Sequence, residues 1–450
     1  MLDRERIRSL SDREAAALDE RTPTSAAMYR RAGAVLAGGV ASSFHAREPW
    51  PVYLARGEGQ RVWDVDANEF VDFHNGFSSM LQGHAHPAIG AAVSGRYGQG
   101  THFAAPTEDA LTVAEELARR FGLARWRFTN SGTESTMAAV RIARAVTGRH
   151  DVVKILGSYH GHYDALMAGL GAGYEQGIPP ATLDRVHPVD FNDPESLERR
   201  IGDLERAGRA PACLILEAAM TNVGLALPRE GYLEGVREIT SRHGMLLVFD
   251  EVKTGLSIAA GGAVERFGVE PDIVTLAKTL GAGLPAGAVG MSAEVASAAE
   301  ERAVPHFGTF NGNPLGMAAA RANLLEVLTP DAYRELFARN DRLVAGCDSV
   351  IADHDLAAHT VGLGAKGCVA MGSEAVVDYR SHERSQDVEL SRLTWLWFMN
   401  RGFYVTPGRG QEWNLNVAHT DESVDRYVEV FAELASEMTV SPRLSGSARA

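Results

Sequence analysis

The chain has 450 residues, 45% of them hydrophobic and 23% charged, so it can bury a large core spread over two or three domains. Its formal net charge of −14 argues against nucleic acid or an anionic membrane surface as the main partner. The cysteines lack CxxC spacing, the charged first residues lack the apolar core of a signal peptide, and no segment has the roughly 20 apolar residues of a membrane span. We therefore expect a soluble, cytoplasmic protein without a membrane partner.

The first 73 residues predict helices followed by short strands. One or two amphipathic helices are expected up to about residue 35, and a small meander of strands between Trp50 and Phe73. Turn signals at residues 57–59 and 66–68 separate these strands. We expect this N-terminal segment, residues 1–73, to join a smaller domain formed by the C-terminal part of the chain.

Residues 74–330 alternate strands with helices, which is typical of a doubly wound α/β domain with a mostly parallel sheet. Residues 331–450 are mainly helical, with a few strands at about 360–371 and 413–417, and predict a smaller α+β domain. The strands predicted in the larger domain are Trp126–Thr129, Val152–Leu156, Ala212–Leu216, Met245–Phe249 and Ile273–Ala277.

Three of these strands end in side chains that can carry chemistry. Glu217 follows the third strand, Asp250 the fourth and Lys278 the fifth. The helix predicted between the third and fourth strands makes a βαβ unit, so the strands should be parallel, with their carboxyl ends at one edge. A partly desolvated lysine amine at that edge can attack a carbonyl carbon and form a Schiff base.

Ser131, Gly132 and Thr133 lie between the first predicted strand and a helix. Free backbone N–H groups and the positive end of a helix dipole make such a position an anion site, and the hydroxyls add donors. The natural ligand is a phosphate. Taken alone, such a turn is more often an ordinary helix cap.

A further polar stretch, Tyr159 to Asp164, follows the second predicted strand. An aromatic ring at a strand end can lie flat on a planar heterocycle. Its histidines, His160 and His162, together with His84 and His86, could instead bind a metal, but no cysteine or carboxylate completes a familiar ligand spacing. We therefore expect no metal, and structural histidines are the more common case.

Together these stretches resemble the class-III pyridoxal-phosphate-dependent aminotransferases, most closely their glutamate-1-semialdehyde aminomutase-like branch. The resemblance runs from about Gly38 to His419 and rests on NSGTE, YHGHYD, LLVFDEVKTG, TLAKTLGAGLPAG and GTFNGNP, in that order. It implies the type-I fold of aspartate aminotransferase, pyridoxal 5'-phosphate as cofactor, and a homodimer with active sites at the subunit interface.

The resemblance also implies roles for single residues. Lys278 would hold the cofactor as an internal aldimine and move a proton during catalysis, and Asp250 would keep the pyridine nitrogen protonated. Ser131, Gly132 and Thr133 would bind the phosphate. Five further residues are expected around the cofactor: Tyr159 and Val252 on the two ring faces, Asn222 near the phenolic oxygen with Glu217 in support, and Thr309 of GTFNGNP at the partner's phosphate.

The substrate positions depart from the aminomutase pattern. Where the GGVNSPVRAF segment has an arginine, this chain has His45, with Arg47 two residues on; Phe77 replaces a tryptophan, and Arg409 precedes Gln411 at the place of a late glutamate. A histidine cannot reproduce the bidentate clamp of an arginine on a carboxylate. The candidate substrate residues are therefore Phe77, His45, Arg47 and Arg409.

Two departures lie closer to the cofactor positions. Ala218 replaces the proline that usually follows Glu217, and Lys253 occupies a position that is normally uncharged. We expect an aminotransferase that moves an amino group between an amino acid or amine donor and a carbonyl acceptor. The alternatives at the same site are an intramolecular glutamate-1-semialdehyde 2,1-aminomutase-type transfer and a racemase, whereas Lys278 and Asp250 together argue against a binding protein without catalysis.

Overall fold

The computed structural model describes residues 3–171, 173–406 and 411–439. Its strands are β1 Leu54–Glu58, β2 Arg61–Asp64, β3 Glu69–Asp72, β4 Arg125–Thr129, β5 Asp151–Ile155, β6 Val186–Val189, β7 Pro211–Leu216, β8 Leu246–Asp250, β9 Ile273–Leu276, β10 Gly287–Met291, β11 Ala358–Leu363, β12 Lys366–Met371, β13 Phe403–Tyr404 and β14 Gln411–Asn414. Its helices are α1 Arg4–Arg21, α2 Pro23–Ala32, α3 Asn75–Ser78, α4 Pro87–Tyr97, α5 Glu108–Phe121, α6 Gly132–Thr147, α7 Asp164–Met167, α8 Pro180–Leu183, α9 Pro194–Arg206, α10 Tyr232–Arg242, α11 Gly262–Phe267, α12 Ala293–Glu301, α13 Pro314–Ala322, α14 Pro330–Asp353, α15 Tyr379–Ser385, α16 Val388–Asn400 and α17 Asp421–Thr439. Within these ranges no helix is both long and apolar enough to cross a membrane.

The central sheet has seven strands in the order β4-β10-β9-β8-β7-β5-β6. The run from β9 to β6 is parallel throughout, and β10 is antiparallel to both of its neighbours. Between β7 and β8, α10 buries Leu233, Val236 and Ile239, as the helical spacing predicts. The predicted α/β architecture with a mostly parallel central sheet is confirmed.

Two smaller sheets contain the remaining strands. The four-stranded sheet has the order β1-β2-β3-β13, so the N-terminal meander pairs with a strand from the C-terminal part. The three-stranded antiparallel sheet has the order β11-β12-β14. The division into residues 1–73, 74–330 and 331–450 stays a prediction.

Two strands of the central sheet, β6 and β10, are absent from the sequence-based prediction. Strand β10 has the sequence GAVGM and directly follows a glycine-rich turn, so its small residues resemble a continuation of that turn. The structure shows why they are small: a Cβ atom at Gly290 would lie 2.6 Å from the Trp126 ring, and one at Gly287 would lie 2.4 Å from Thr129 Oγ1. Close approach to β4, rather than loop flexibility, accounts for both glycines.

One side chain of α6 does not follow its helical spacing into the core. Met137 has the same spacing as Val140 and Ala143 but is 40% exposed. The residues that α6 buries on the sheet include Ala139, Val140, Ile142 and Ala143. Small side chains bring this helix close to the strands, and Gly148 ends it in the left-handed conformation (φ 70°).

The N-terminal helix is attached to the C-terminal part of the chain through an apolar seam. Ile7, Leu10 and Leu18 of α1 are buried, and α1 packs along α16. Helix α16 is itself buried along most of its length. We expect this seam to contribute to the stability of the whole chain rather than of a detachable tail.

Truncating the seam should destabilise the protein. Ile7 is fully buried, so Ile7→Ala should lower the free energy of unfolding by about 2–4 kcal/mol in a urea titration. Arg8→Ala is the matched control on the same helix, because Arg8 is exposed and only pairs with Glu389 at 3.1 Å, and it should cost about 0.5 kcal/mol or less. Equal losses in the two variants would contradict the packing argument.

Candidate active site

A cavity of about 640 Å³ opens at the carboxyl edge of the central sheet. Glu217, Asp250 and Lys278 all line it, and each stands at or just beyond the end of a parallel strand. Because β7, β8 and β9 are adjacent, the topology brings a base, an acid and an amine to one place. The structure therefore assembles the three residues that the strand-end argument selects.

Lys278 lies at a strained point of the backbone. It begins a 3₁₀ turn directly after β9, and its φ of 47° is in the left-handed region, which costs a residue with a side chain about 1–3 kcal/mol. The turn is held from outside: Thr279 Oγ1 donates to the Ser78 carbonyl at 2.9 Å, and Asn323 Nδ2 donates to the Thr279 carbonyl at 2.7 Å. Lys278 is thus positioned by packed neighbours rather than by a relaxed loop.

Asp250 is a buried carboxylate with donors on both oxygens. His160 Nδ1 donates to Oδ2 at 2.7 Å, while the Val252 backbone N–H and Thr275 Oγ1 donate to Oδ1 at 3.0 and 3.2 Å. These bonds fix the direction in which the carboxylate points. The other ring nitrogen of His160, Nε2, is buried and makes no hydrogen bond within the described part of the chain.

The residue after Asp250 has a different role. Glu251 is buried and accepts hydrogen bonds from the backbone N–H of Ala263 at 2.7 Å and from Thr254 Oγ1 at 2.8 Å. Burial raises the pKa of Glu251 to about 7, although these donors oppose the shift. Glu251 does not line the cavity, so of the two neighbouring acids only Asp250 belongs to the site.

The start of α6 forms the opposite wall of the cavity. Asn130, Ser131, Gly132 and Thr133 all line it. Ser131 Oγ caps the helix by accepting from the Glu134 backbone N–H at 3.1 Å, which leaves other N–H groups of the first turn for a ligand. Helix α6 is 16 residues long, so its dipole adds positive potential here.

Gly132 is small because Val252 lies against it. A Cβ atom at Gly132 would be 2.8 Å from Val252 Cγ1, closer than packed carbon atoms approach. The contact joins the α6 wall to the segment that follows Asp250. The glycine in NSGTE is thus explained by packing in this chain.

The loop after β5 carries the aromatic side of the site and is tied down by a lysine. Lys154 is fully buried, and its Nζ donates to the carbonyls of Ser158, Leu166 and Ala168 at 2.8, 2.8 and 2.9 Å. Burial lowers the pKa of Lys154 to about 7, with Glu217 and Glu175 opposing that shift. The three bonds hold the segment that contains Tyr159 and His160. The sequence signal that was missed is a lysine inside an otherwise apolar strand.

A third wall is built from Glu217 and the loop after it. Glu217 is buried and accepts from the Thr221 backbone N–H at 3.2 Å and from Asn222 Nδ2 at 3.3 Å. Lys253 lies beside them, lines the cavity and donates to the Thr221 carbonyl. Asn222 therefore lies between a carboxylate and an ammonium group.

The predicted substrate residues separate in the structure. Phe77 lines the cavity together with Phe44, and their ring centroids are 5.7 Å apart. His45 does not line it: Ser43–His45 is a single 3₁₀ turn, so successive side chains leave in different directions, and Phe44 takes the place expected for His45. Arg47 donates to the backbone carbonyls of Phe44 and Ala46 and is also absent from the lining. Arg409 lies outside the described residues.

Phe77 belongs to a short segment with an unusual backbone. All four residues of α3, Asn75 to Ser78, have positive φ, with values of 48°, 55°, 55° and 72°. Asp72 Oδ1 accepts from the His74 and Asn75 backbone N–H groups at 2.9 and 2.8 Å and so fixes the entry to this left-handed turn. Gly76 and Phe77 both line the cavity.

The remaining predicted residues lie as follows. Tyr159, Asn222 and Val252 line the cavity, and Thr309 is exposed and does not. Of the four histidines considered as metal ligands, His160 is bonded to Asp250, His84 Nε2 to Asp72 at 2.7 Å, His86 caps α4, and His162 is exposed. Within the described ranges, no three His, Cys, Asp or Glu side chains are grouped as a metal would need.

The Gly132–Val252 contact gives a direct test of the packing at the site. Gly132→Ala should cost about 1–3 kcal/mol of unfolding free energy, because the added methyl group overlaps Val252. Val252→Ala removes the overlapping atoms, so the double variant should lose clearly less than the sum of the two single losses in urea titrations. Additive losses would show that the contact is absent.

Comparisons with known proteins agree with this geometry. The family model for "Aminotransferase class-III" matches residues 43–388. A glutamate-1-semialdehyde 2,1-aminomutase of Desulforudis audaxviator is 36% identical over 421 residues, covering 91% of this chain and 96% of that protein. A solved variant of the glutamate-1-semialdehyde aminomutase from Pseudomonas aeruginosa PAO1, in complex with PMP, is 30% identical, with a TM-score of 0.90 and coverage of 97% and 99%.

An omega-transaminase from Sphaerobacter thermophilus is similar to nearly the same degree. Its solved structure is 32% identical with a TM-score of 0.86, and the match covers 92% of this chain and 97% of that one. The fold and the family expected from the sequence motifs are both confirmed. With a family match over residues 43–388 and a seven-stranded sheet that gathers Glu217, Asp250 and Lys278, the chain belongs to the class-III aminotransferases.

Proposed function

We propose that this protein is a pyridoxal-phosphate-dependent enzyme that transfers an amino group at Lys278. The observation that carries the proposal is the convergence of Lys278, the Asp250–His160 pair and the N-terminus of α6 on one cavity. An amine, an ionised acid and an anion site, in walls that face each other, are the three groups that such a cofactor needs.

The residues present fit pyridoxal phosphate. Ser131, Gly132 and Thr133 would hold the phosphate at the α6 N-terminus, which borders the cavity. Val252 and Tyr159 offer apolar surfaces for the two ring faces. When bound, the cofactor supplies an electron sink that stabilises negative charge on the substrate carbon next to nitrogen.

Asp250 and His160 would act together on the pyridine nitrogen. Asp250 is buried and already accepts three hydrogen bonds, so its charge is fixed in direction before any ligand binds. An ionised carboxylate beside the nitrogen keeps a proton there. His160 is a positioning residue, since it contacts Asp250 and its backbone carbonyl is held by Thr136 Oγ1 at 2.6 Å.

Lys278 would bind the cofactor through its amine. It would then move a proton between a carbon atom of the substrate and a carbon atom of the cofactor. Its place just beyond the carboxyl end of β9 suits both tasks, because Lys278 is half-buried and borders the same cavity as Asp250. Glu217 and Asn222 form the wall beside it.

The first candidate reaction is an intramolecular transfer of the glutamate-1-semialdehyde 2,1-aminomutase type. The similarity to aminomutases over nine tenths of the chain supports it more than it supports the aminotransferase expected from the sequence alone. In such a reaction the amino group leaves one carbon and returns to its neighbour. The cavity is enclosed by Phe44 and Phe77 on one side, which would help to retain an intermediate product.

The second candidate is transfer between two substrates, and one observation favours it. No arginine lines the cavity among the described residues, and His45 and Arg47 lie outside the lining. Among the described residues, the pocket has aromatic walls and no arginine clamp, which suits an amine or aryl amino acid better than a dicarboxylic skeleton. The similarity to an omega-transaminase is consistent with this second reaction.

A homodimer would be the active unit. Thr309 is exposed and outside the cavity of its own chain, as a phosphate donor to a partner subunit would be. Phe307 and Phe310 flank it and are 93% and 55% exposed, which is unusual for phenylalanine on a free surface. The small-molecule partners are an amino donor and a carbonyl acceptor.

Reductive trapping should identify the lysine that carries the cofactor. Treating the holoenzyme with borohydride should fix the cofactor to the peptide that contains residue 278, found by mass spectrometry. Lys278→Ala should give no such adduct and should lower turnover at least about 10³-fold. An adduct on any of the other three lysines, or full turnover in Lys278→Ala, would overturn the assignment.

Product analysis should separate the two candidate reactions. Enzyme loaded with pyridoxamine phosphate and given an amino aldehyde should return a rearranged amino acid without free keto product if the transfer is intramolecular. A donor amine that bleaches the cofactor band and releases one equivalent of keto product would instead establish the intermolecular aminotransferase. If the cofactor is trapped at Lys278 but neither test gives a product, both candidate reactions would be contradicted.

A further inference from the structure

The chain uses lysine almost exclusively in its interior. It has only four lysines, Lys154, Lys253, Lys278 and Lys366, against 40 arginines that supply its other basic side chains. Three of the four are buried and Lys278 is half-buried. Lys154 holds the Tyr159 loop and Lys278 lies at the proposed reaction centre, which leaves Lys253 and Lys366 to explain.

Lys253 is a buried cation that borders the cavity. Its side chain is 7% exposed, and its Nζ donates to the Thr221 carbonyl and lies 3.5 Å from Asn222 Oδ1. The amide of Asn222 points its Nδ2 at Glu217, 3.3 Å away. The lysine and the glutamate together therefore determine which end of the Asn222 amide faces which way.

Glu412 is the acid that accompanies Lys253. Its Oε2 lies 3.7 Å from Lys253 Nζ, and both side chains are less than a tenth exposed. Glu412 is on β14 of the three-stranded sheet, whereas Lys253 follows β8 of the central sheet, so the pair connects two sheets. The second oxygen of Glu412, Oε1, is buried without a hydrogen-bond partner in the described part of the chain.

Such a pair is a poor device for stability. Removing two charges from water costs more than a 3.7 Å contact returns, and an apolar pair would serve as well. A function of the charges themselves is the better explanation. Inside a protein a charge is screened less than on the surface, so it acts on groups several ångströms away.

Three further titratable groups lie close to Lys253 and Glu412. Lys366, His74 and Cys368 face both Lys253 and Glu412, and Glu217 and Lys278 face Lys366 as well. Burial lowers the pKa of Lys366 well below its usual range, with Lys253 and Lys278 adding to the shift. Burial also lowers the pKa of His74 to about 4 and raises that of Cys368. Burial therefore opposes the charged form in all three groups.

We propose that Lys253 is a positioning residue that orients Asn222 and places a positive charge on that side of the cofactor, and that Glu412 moderates this charge from the other sheet. The proposal rests on the proposed function, because it needs a cofactor joined to Lys278. The nitrogen of that junction is a cationic acid when protonated, so a nearby cation favours loss of its proton and a nearby anion favours its retention. Lys253 and Glu412 should therefore act on it with opposite signs.

The test is a pH titration of the visible absorption of the holoenzyme, between about pH 6 and 10. Lys253→Met removes the cation, so the midpoint should rise by about one pH unit; Glu412→Gln leaves the cation unmoderated, so the midpoint should fall by about one unit. Lys253→Arg keeps the charge and should leave the midpoint within about 0.3 unit of the wild type.

The opposite signs separate an electrostatic role from a structural one. Loss of packing alone would move the midpoint in the same direction in Lys253→Met and Glu412→Gln, and that result would overturn the proposal. Unchanged spectra in both variants across the range would overturn it too. If Lys253→Met does not fold, the downward shift in Glu412→Gln and the unchanged midpoint in Lys253→Arg decide.

Failure of the proposed function would look different. If no cofactor is trapped at Lys278 by borohydride, the enzyme assignment fails whatever the titration shows. If the cofactor is trapped there and the midpoints do not move as described, only the role of Lys253 and Glu412 is wrong.

Discussion

The parallel order of β7, β8 and β9 is the constraint on which the rest of the site depends. These strands are buried on both faces, so they can carry only apolar side chains until each one emerges at the carboxyl edge. The first polar residues after the apolar runs therefore stand side by side. The strand register adds a contact at this edge. Asp250 of β8 is paired with Thr275 of β9, and the Thr275 hydroxyl donates to the Asp250 carboxylate. One hydrogen-bonded sheet thus sets the relative positions of an acid, a glutamate and a lysine that are far apart in sequence.

This constraint explains what could be predicted from the sequence. Apolar runs bounded by turn residues located five of the seven central strands to within one or two residues, and the residues that follow three of them are those that line the cavity. Strand β10 could not be found that way, because its glycines are required by close contact with Trp126 and Thr129 on the paired strand. Likewise, Met137 fits helical spacing but faces outward, since α6 approaches the sheet through alanines.

Partners that meet through the tertiary structure were also beyond the sequence. His160 and Asp250 are 90 residues apart and the segments around them give no sign of their hydrogen bond. His45 matched a family position, yet one turn of 3₁₀ helix replaced it with Phe44 at the cavity. Lys253 was visible as an unusual residue, but its meaning depends on Glu412, which comes from a different sheet. Strand ends can be read from a sequence, whereas contacts between loops require the fold.

The strained segments show how the two parts of the site are joined. Lys278 and the four residues of α3 have positive φ, and such conformations persist only where the surroundings hold them. Lys366 Nζ donates to Ser78 Oγ and, at 3.0 Å, to Asn414 Oδ1, while the Ser78 carbonyl accepts from Thr279 beside Lys278. The left-handed turn under Phe77 and the turn at Lys278 therefore stabilise each other through the buried amine of Lys366, whose pKa burial lowers well below its usual range. The aromatic wall of the cavity and the lysine at the end of β9 are consequently held by one hydrogen-bonded network, although they come from distant parts of the sequence.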